Sequence, residues 1–122
     1  MHRVGFLPAN FMDGLKIVLD SYEFELKGIY SHFATSDDID NSYAKQQIKK
    51  FNEIKENAKP FIKSNVLFHM ANSGAIMKYP EAYFDMVRPG VMLYGNPPGP
   101  EFNLTWDLKE VMRFVSQVAA IK

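Results

Sequence analysis

A chain of 122 residues, 47% hydrophobic and 23% charged, has the make-up of a soluble globular domain and the length to bury a core. Its 14 basic and 14 acidic side chains cancel, which removes the basic excess that a nucleic-acid partner normally requires, and the absence of cysteine excludes a disulfide scaffold and any thiolate nucleophile or ligand. No run reaches the roughly 18 apolar residues of a membrane span, and the stretch 1–9 is too short and mixed for a secretory leader, so a cytoplasmic α/β protein is expected and the sequon Asn103-Leu104-Thr105 is read as chance.

Gly5, Pro8 and Asn10 mark a loop-like start, with Asn10 as the cap of a helix whose apolar face carries Phe11, Leu15, Val18 or Leu19, and Tyr22. Asp13 in its first turn suits the helix dipole. Leu26 to Phe33 reads as a strand, followed by a polar loop through Asp40. Asn41 or Ser42 caps a second helix, with Tyr43, Ile48, Phe51, Ile54 and Ala58 three or four residues apart and Pro60 as its stop; Lys45, Lys49, Lys50, Glu53 and Glu56 form a solvated face. Asn65 to Met70 is the near-continuous apolar run of a strand buried on both faces. Asn72 or Ser73 then caps a short helix that ends before Pro80. Phe84–Arg88 and Val91–Tyr94 read as two further strands, Asn96–Pro100 as the strongest breaker, and Leu108–Ile121 as a final β-branched, strand-like piece. Strands alternating with helices imply a parallel sheet.

In parallel α/β folds the chemistry lies beyond the carboxyl ends of the strands. The polar residues there are His32, Asn72, Ser73 and Arg88, with Gly90 just beyond. His32 suits a ring contact or acid/base work. Ser73 and Gly74 open a helix whose N–H groups could face a phosphate, as many helix starts could. Arg88 at the end of a strand needs an ion-pair partner or a ligand, and Gly90 lets backbone N–H groups come close to one. His69, one step inside its strand, reads as a satisfied core histidine, the seven methionines as core filler, and Asp37, Asp38 and Asp40 as loop caps. No nucleophile, carboxylate pair or metal site stands out.

Taken together and in order, Ser31-His32-Phe33-Ala34-Thr35-Ser36-Asp37, His69-Met70-Ala71-Asn72-Ser73-Gly74-Ala75 and Phe84-Asp85-Met86-Val87-Arg88-Pro89-Gly90-Val91-Met92-Leu93-Tyr94-Gly95 resemble the alanine racemase family. Arg3-Val4-Gly5, with Met1 in register, resembles that family's M-x-R-x-G element, and Leu108 to Lys122 the start of its C-terminal β domain. The resemblance runs over essentially the whole chain. It implies the second half of a parallel (β/α)8 TIM-type barrel over residues 1–95, a linker over 96–107 and the first strand of a β domain over 108–122. A complete barrel takes about 250 residues, of which 122 is roughly half.

The resemblance further implies interconversion of L- and D-alanine for the bacterial cell wall, with pyridoxal 5'-phosphate as cofactor and a homodimer when full length. Residue by residue, Arg88 would hydrogen-bond the pyridine nitrogen, Ser73 with the backbone N–H groups of Gly90 and Val91 would hold the phosphate, His32 would lie against the ring, Asn72 would lie beside the cofactor, and Arg3 would join the surrounding hydrogen-bond network. Gly74 stands where the family often has Ala, and Val91 where Ile is commoner. The family's cofactor-binding lysine is expected upstream of Met1 and its second base, a tyrosine of the partner subunit, downstream of Lys122. No lysine here has the sequence context of the former, and Tyr30, Tyr43 and Tyr94 have no claim to the latter, so the 122-residue polypeptide is expected to be inactive alone. Two other readings stay open: a non-catalytic module binding this cofactor or another phosphate, and a racemase or decarboxylase of the same barrel type with a different amino acid. Open sheet edges in a half-barrel favour self-association.

Overall fold

The computed structural model describes residues 4–102 and 107–121. Arg3 and the sequon at Asn103 therefore lie outside the described residues. The chain opens with a 3-10 turn, Pro8–Asn10, that runs into helix α1, Phe11–Asp20. Asn10 precedes the helix without a side-chain capping bond, because Pro8 and the turn already set the entry. Leu15 is the buried anchor of α1, with Phe11 and Met12 packed beside it. Tyr22, expected on the same face, lies past the end of the helix and is 96% exposed.

A β-α-β unit follows. Strand β1, Gly28–Tyr30, and strand β2, Leu67–His69, are parallel, with Gly28 opposite Leu67, Ile29 opposite Phe68 and Tyr30 opposite His69. The crossover between them is α2, Ser42–Ala58, closed by a 3-10 turn over Lys59–Phe61 that contains Pro60. The buried positions of α2 are Ala44, Ile48, Phe51 and Ala58. Tyr43, one residue earlier, is turned out toward solvent: at 100° per residue that one-step offset separates the packed stripe from its edge. Phe51 meets the rings of Phe68 and Phe84 edge-on, at centroid distances of 6.3 and 5.0 Å. These edge-to-face contacts seat α2 on one side of the sheet.

The other side is open. Phe68 is buried, whereas Leu67 is 44% exposed, so β2 is not the doubly buried strand its apolar run implies. Among the described residues helix α2 covers one face of the pair, and that decides which alternate residues are inside.

Beyond β2 come α3, Ser73–Lys78, and a 3-10 turn at Pro80–Ala82. The stretch Phe84–Arg88 runs alongside β2 but forms no ladder; a single parallel bridge joins His69 and Met86. Two features explain this. Phe84 has φ of 50°, a left-handed conformation that interrupts an extended strand. Asp85 then uses its carboxylate where a strand would use a carbonyl: Phe68 N–H donates to Asp85 Oδ2 (2.7 Å), while Asp85 N–H donates to Phe68 O (3.0 Å). Farther on, Arg88 N–H donates to Ala71 O (2.9 Å).

Val91–Tyr94, expected as a strand, is a 3-10 turn ended by Gly95 at φ 83°. Its apolar side chains suit a strand, but Leu93 N–H reaches back to Gly90 O and Gly95 N–H to Met92 O, which closes the backbone on itself. Residues 107–121 carry no regular element. The strand expected over 108–122 is absent from them; a strand needs a partner ladder, and Val111 N–H to Tyr94 O is a single cross-link. No helix among the described residues is long and apolar enough to cross a membrane.

Gly28 fixes how closely the two strands approach on the open side. A Cβ there would lie 2.9 Å from Leu67 O and 3.5 Å from His69 Nε2. Gly28→Ala is therefore expected to destabilise the fold by about 1–3 kcal/mol, as crowding of packed structure does. Urea unfolding followed by circular dichroism checks this; an unchanged midpoint would show that the strands yield freely.

Candidate functional site

Three segments meet at one end of the two-stranded sheet. The first continues from β1 through Ser31 and His32, and Ser31 N–H still donates to His69 O across the pair (3.2 Å). The second is the start of α3 after β2. The third is the Arg88–Gly90 stretch beside them. Their convergence encloses a cleft of about 280 Å³.

Arg88 ties all three together. Its Nη2 donates to Ser31 O (2.8 Å) and approaches His32 Nδ1 (3.3 Å), its Nη1 bonds His69 Nδ1, and its guanidinium lies 5.3 Å from the centre of the Tyr30 ring. Guanidinium groups have no acceptor, so His69 Nδ1 accepts, and a neutral His69 must carry its proton on Nε2. Burial, and then the neighbouring Arg88 charge, hold His69 below its ordinary pKa of 6.5, consistent with that neutral form. Burial also pulls Arg88 down, opposed by Tyr30, but an arginine keeps its charge at any working pH. His69 is thus no passive core residue: it lies half-buried, stacked on Tyr30, as an acceptor for the cation of the site.

Asn72 and Ser73 hold the opposite wall. Asn72 Oδ1 accepts from Ala75 N–H (3.0 Å), the expected helix cap, and also from Ser36 Oγ (2.8 Å), which pins the loop after β1 to α3. Ser36 is 1% exposed. A Cβ on Gly74 would come within 2.8 Å of Ser36 Oγ, so the glycine at this position and the close approach of Ser36 go together. Ser73 Oγ accepts from Gly90 N–H (2.8 Å) and Met92 N–H (3.3 Å). A hydroxyl that accepts twice keeps its own proton to donate.

His32, Asn72, Ser73, Arg88, Gly90 and Val91, the residues singled out in the sequence, all line this one cleft. Ser36, Asp37, Gly74 and Pro98 complete it. Arg3 lies outside the described residues. Sequence reasoning gave Ser36 no role because its partner is 36 residues away; Tyr30 was read only as part of a strand and His69 as a core histidine, because their role arises from strand pairing. The one available signal was that Ser36 and His69 belong to site strings and Tyr30 immediately precedes one. None of the cleft-lining residues is a lysine or a tyrosine, and among the described residues no cluster of histidine and carboxylate side chains could hold a metal ion.

The chain is similar to known proteins in sequence and fold. The alanine racemase of Treponema denticola is 43% identical over 126 aligned residues, which take in all of this chain and 33% of that protein. Alanine racemase 2 of Caldanaerobacter subterraneus is 44% identical over 123 residues, across the whole chain and 32% of its own length. Among solved structures, the Bacillus anthracis alanine racemase with bound L-Ala-P matches with a TM-score of 0.78 at 32% identity, covering 90% of this chain and 29% of that one. The Clostridium difficile alanine racemase in complex with cycloserine matches with a TM-score of 0.82 at 28% identity, covering 90% and 31%. The chain spans about a third of the length of the curated relatives it matches. The family model described as the N-terminal domain of alanine racemase matches residues 1–98, and with these relatives it establishes that the chain belongs to the alanine racemase family.

Proposed function

We propose that this chain forms the cofactor-holding wall of a pyridoxal-phosphate-dependent alanine racemase, a cytoplasmic homodimer acting on L- and D-alanine. In this reading residues 1–95 belong to the second half of a TIM-type barrel, 96–107 to a linker and 108–122 to the start of a β domain. The observation that carries it is the convergence of His32, Asn72, Ser73, Arg88, Gly90 and Val91 on one cleft.

The donor set fits the cofactor. A guanidinium has five N–H donors, more than the His69, Ser31 and His32 acceptors named above take up, which leaves capacity toward a ring nitrogen. Ser73 keeps a hydroxyl proton for a phosphate oxygen; the Gly90 N–H is spent on Ser73 Oγ, so in this reading the Val91 N–H of the same turn is the backbone donor left for the phosphate. When bound, the cofactor supplies the electron sink for proton removal at the amino-acid Cα. Arg88 would hold that group by donating a hydrogen bond to its ring nitrogen without surrendering its own proton. His32 and Asn72 limit the sideways freedom of whatever occupies the cleft. Arg3 joins the surrounding network in the same reading.

Calorimetric titration tests this. Pyridoxal 5'-phosphate is expected to bind the chain, pyridoxal without its phosphate more weakly, and Ser73→Ala to lose about 10- to 100-fold in affinity, the value of a hydrogen bond to a charged group. Equal binding of the two ligands would sink the phosphate assignment. With no lysine or tyrosine lining the cleft, the 122-residue polypeptide alone is expected to give no racemisation of L-alanine, and robust turnover would contradict that.

A pH effect follows from His69. Its folded pKa lies below 6.5, so on acidification the unfolded chain takes up this proton first. The contribution of neutral His69 to stability is present in full above pH 6.5 and is lost as the pH falls below it toward the folded value. Unfolding midpoints from pH 7.5 to 5.0 should fall more for the natural chain than for His69→Asn; parallel curves would refute the assignment.

A further inference from the structure

Tyr30 is outside the cleft and has no part in the roles proposed above. Its neighbours are nevertheless specific. Its ring is parallel to the His69 imidazole, 3° apart in plane with centroids at 5.3 Å, and the Arg88 guanidinium lies 5.3 Å from its centre. Register explains the first contact, since Tyr30 and His69 are directly paired across β1 and β2. Charge explains the second: a cation within about 6 Å of a ring face is attracted by the ring quadrupole. Packing among the described residues does not account for the side chain, because Tyr30 is 62% exposed within them.

We infer that Tyr30 is a positioning residue, whose ring holds the His69 imidazole and the Arg88 guanidinium in the geometry that keeps their hydrogen bond. His69 can rotate about its side-chain bonds, and Arg88 more so. Each is restrained on one side by the other, and Tyr30 restrains both at once. Among the described residues Arg88 makes no ion pair, and its partners there are the Ser31 carbonyl, the two imidazoles and this ring. The charged and titratable groups that face His69 are Arg88 from the third segment and Tyr30 from β1, with His32 on the far side of the guanidinium. What Arg88 is positioned toward rests on the proposed function; the three-residue contact does not.

The test reads His69 directly, by nitrogen-15 NMR of its imidazole in the full 122-residue chain. In the natural protein and in Tyr30→Phe, which keeps the ring, His69 should hold its proton on Nε2 and titrate below 6.5. In Tyr30→Leu the two tautomers should mix and the titration should move up toward 6.5. Affinity for pyridoxal 5'-phosphate should fall about two- to fivefold with it, the worth of an exposed cation–π contact. Backbone amide shifts of β1 and β2 verify folding; if Leu perturbs them, Tyr30→Gln repeats the test. An unchanged His69 spectrum in a folded variant, or the same response in Tyr30→Phe, overturns the inference. So does unfolding of both ring-less variants, which would make Tyr30 part of the scaffold. If His69 responds as expected while the natural chain binds no cofactor, the positioning role stands and the proposed function falls.

Discussion

Everything at the open end of the sheet depends on how a single cation is accommodated. Arg88 is half-buried, and its hydrogen-bonding partners among the described residues are a carbonyl and two imidazole nitrogens. Burying a cation without an anion is costly unless its donors are met, so each acceptor matters more than a surface contact would. The arrangement also constrains the acceptors. Were His69 to take up a proton, its Nδ1 would become a donor facing a donor, next to a positive charge. The neutral imidazole and the held guanidinium are therefore one condition seen from two sides. The outcome is a fixed positive group in a cleft whose other wall presents the Ser73 hydroxyl with its proton still to donate, an environment that favours an anion.

The backbone supplies the precision. Parallel pairing puts Tyr30 and His69 level, so the chain leaves both strands at the same height. Arg88 is brought to that height by its own N–H on Ala71 O and, earlier, by Asp85 gripping Phe68 with both carboxylate and N–H. On the far wall two short side chains each serve two purposes. Asn72 caps α3 and anchors the Ser36 loop, and Ser73 gathers the N–H groups of the turn that begins at Gly90. Losing either would free two segments, because the bonds span 17 to 36 residues of chain.

What could be read in advance follows from the range of the forces involved. Helix α2 and the Asn72 cap were legible, since a 3.6-residue period and a capping side chain act within a few residues. The site strings were legible because each is a contiguous run of residues. The 3-10 turn at Val91–Tyr94 was not: its side chains are those of a strand, and what bends it is Ser73, far away in sequence. The strand expected at Phe84–Arg88 reduces to a single bridge because of the left-handed Phe84 and the side-chain bond to Asp85, which cannot be seen in composition. Residues 108–121 have β-branched content without the neighbouring strand that would make it count. His69 looked like core, because its tautomer is set by an arginine 19 residues on.

The same openness that admits a ligand leaves apolar surface uncovered. Leu67 and Tyr30 look out from the side of the sheet opposite α2, and Phe6 and Leu7 line a larger groove of about 840 Å³ that also reaches Tyr30 and Arg88. Under the proposed barrel reading that side of the sheet is the interior, where neighbouring strands supply the missing contacts. Two consequences then share a cause. The ring of Tyr30, on the face away from α2, lies against the cation, and Gly28 can bring the strands close because no Cβ competes for the space beside His69. Packing on the α2 side holds the sheet together, and the opposite side carries the polar contacts of the site.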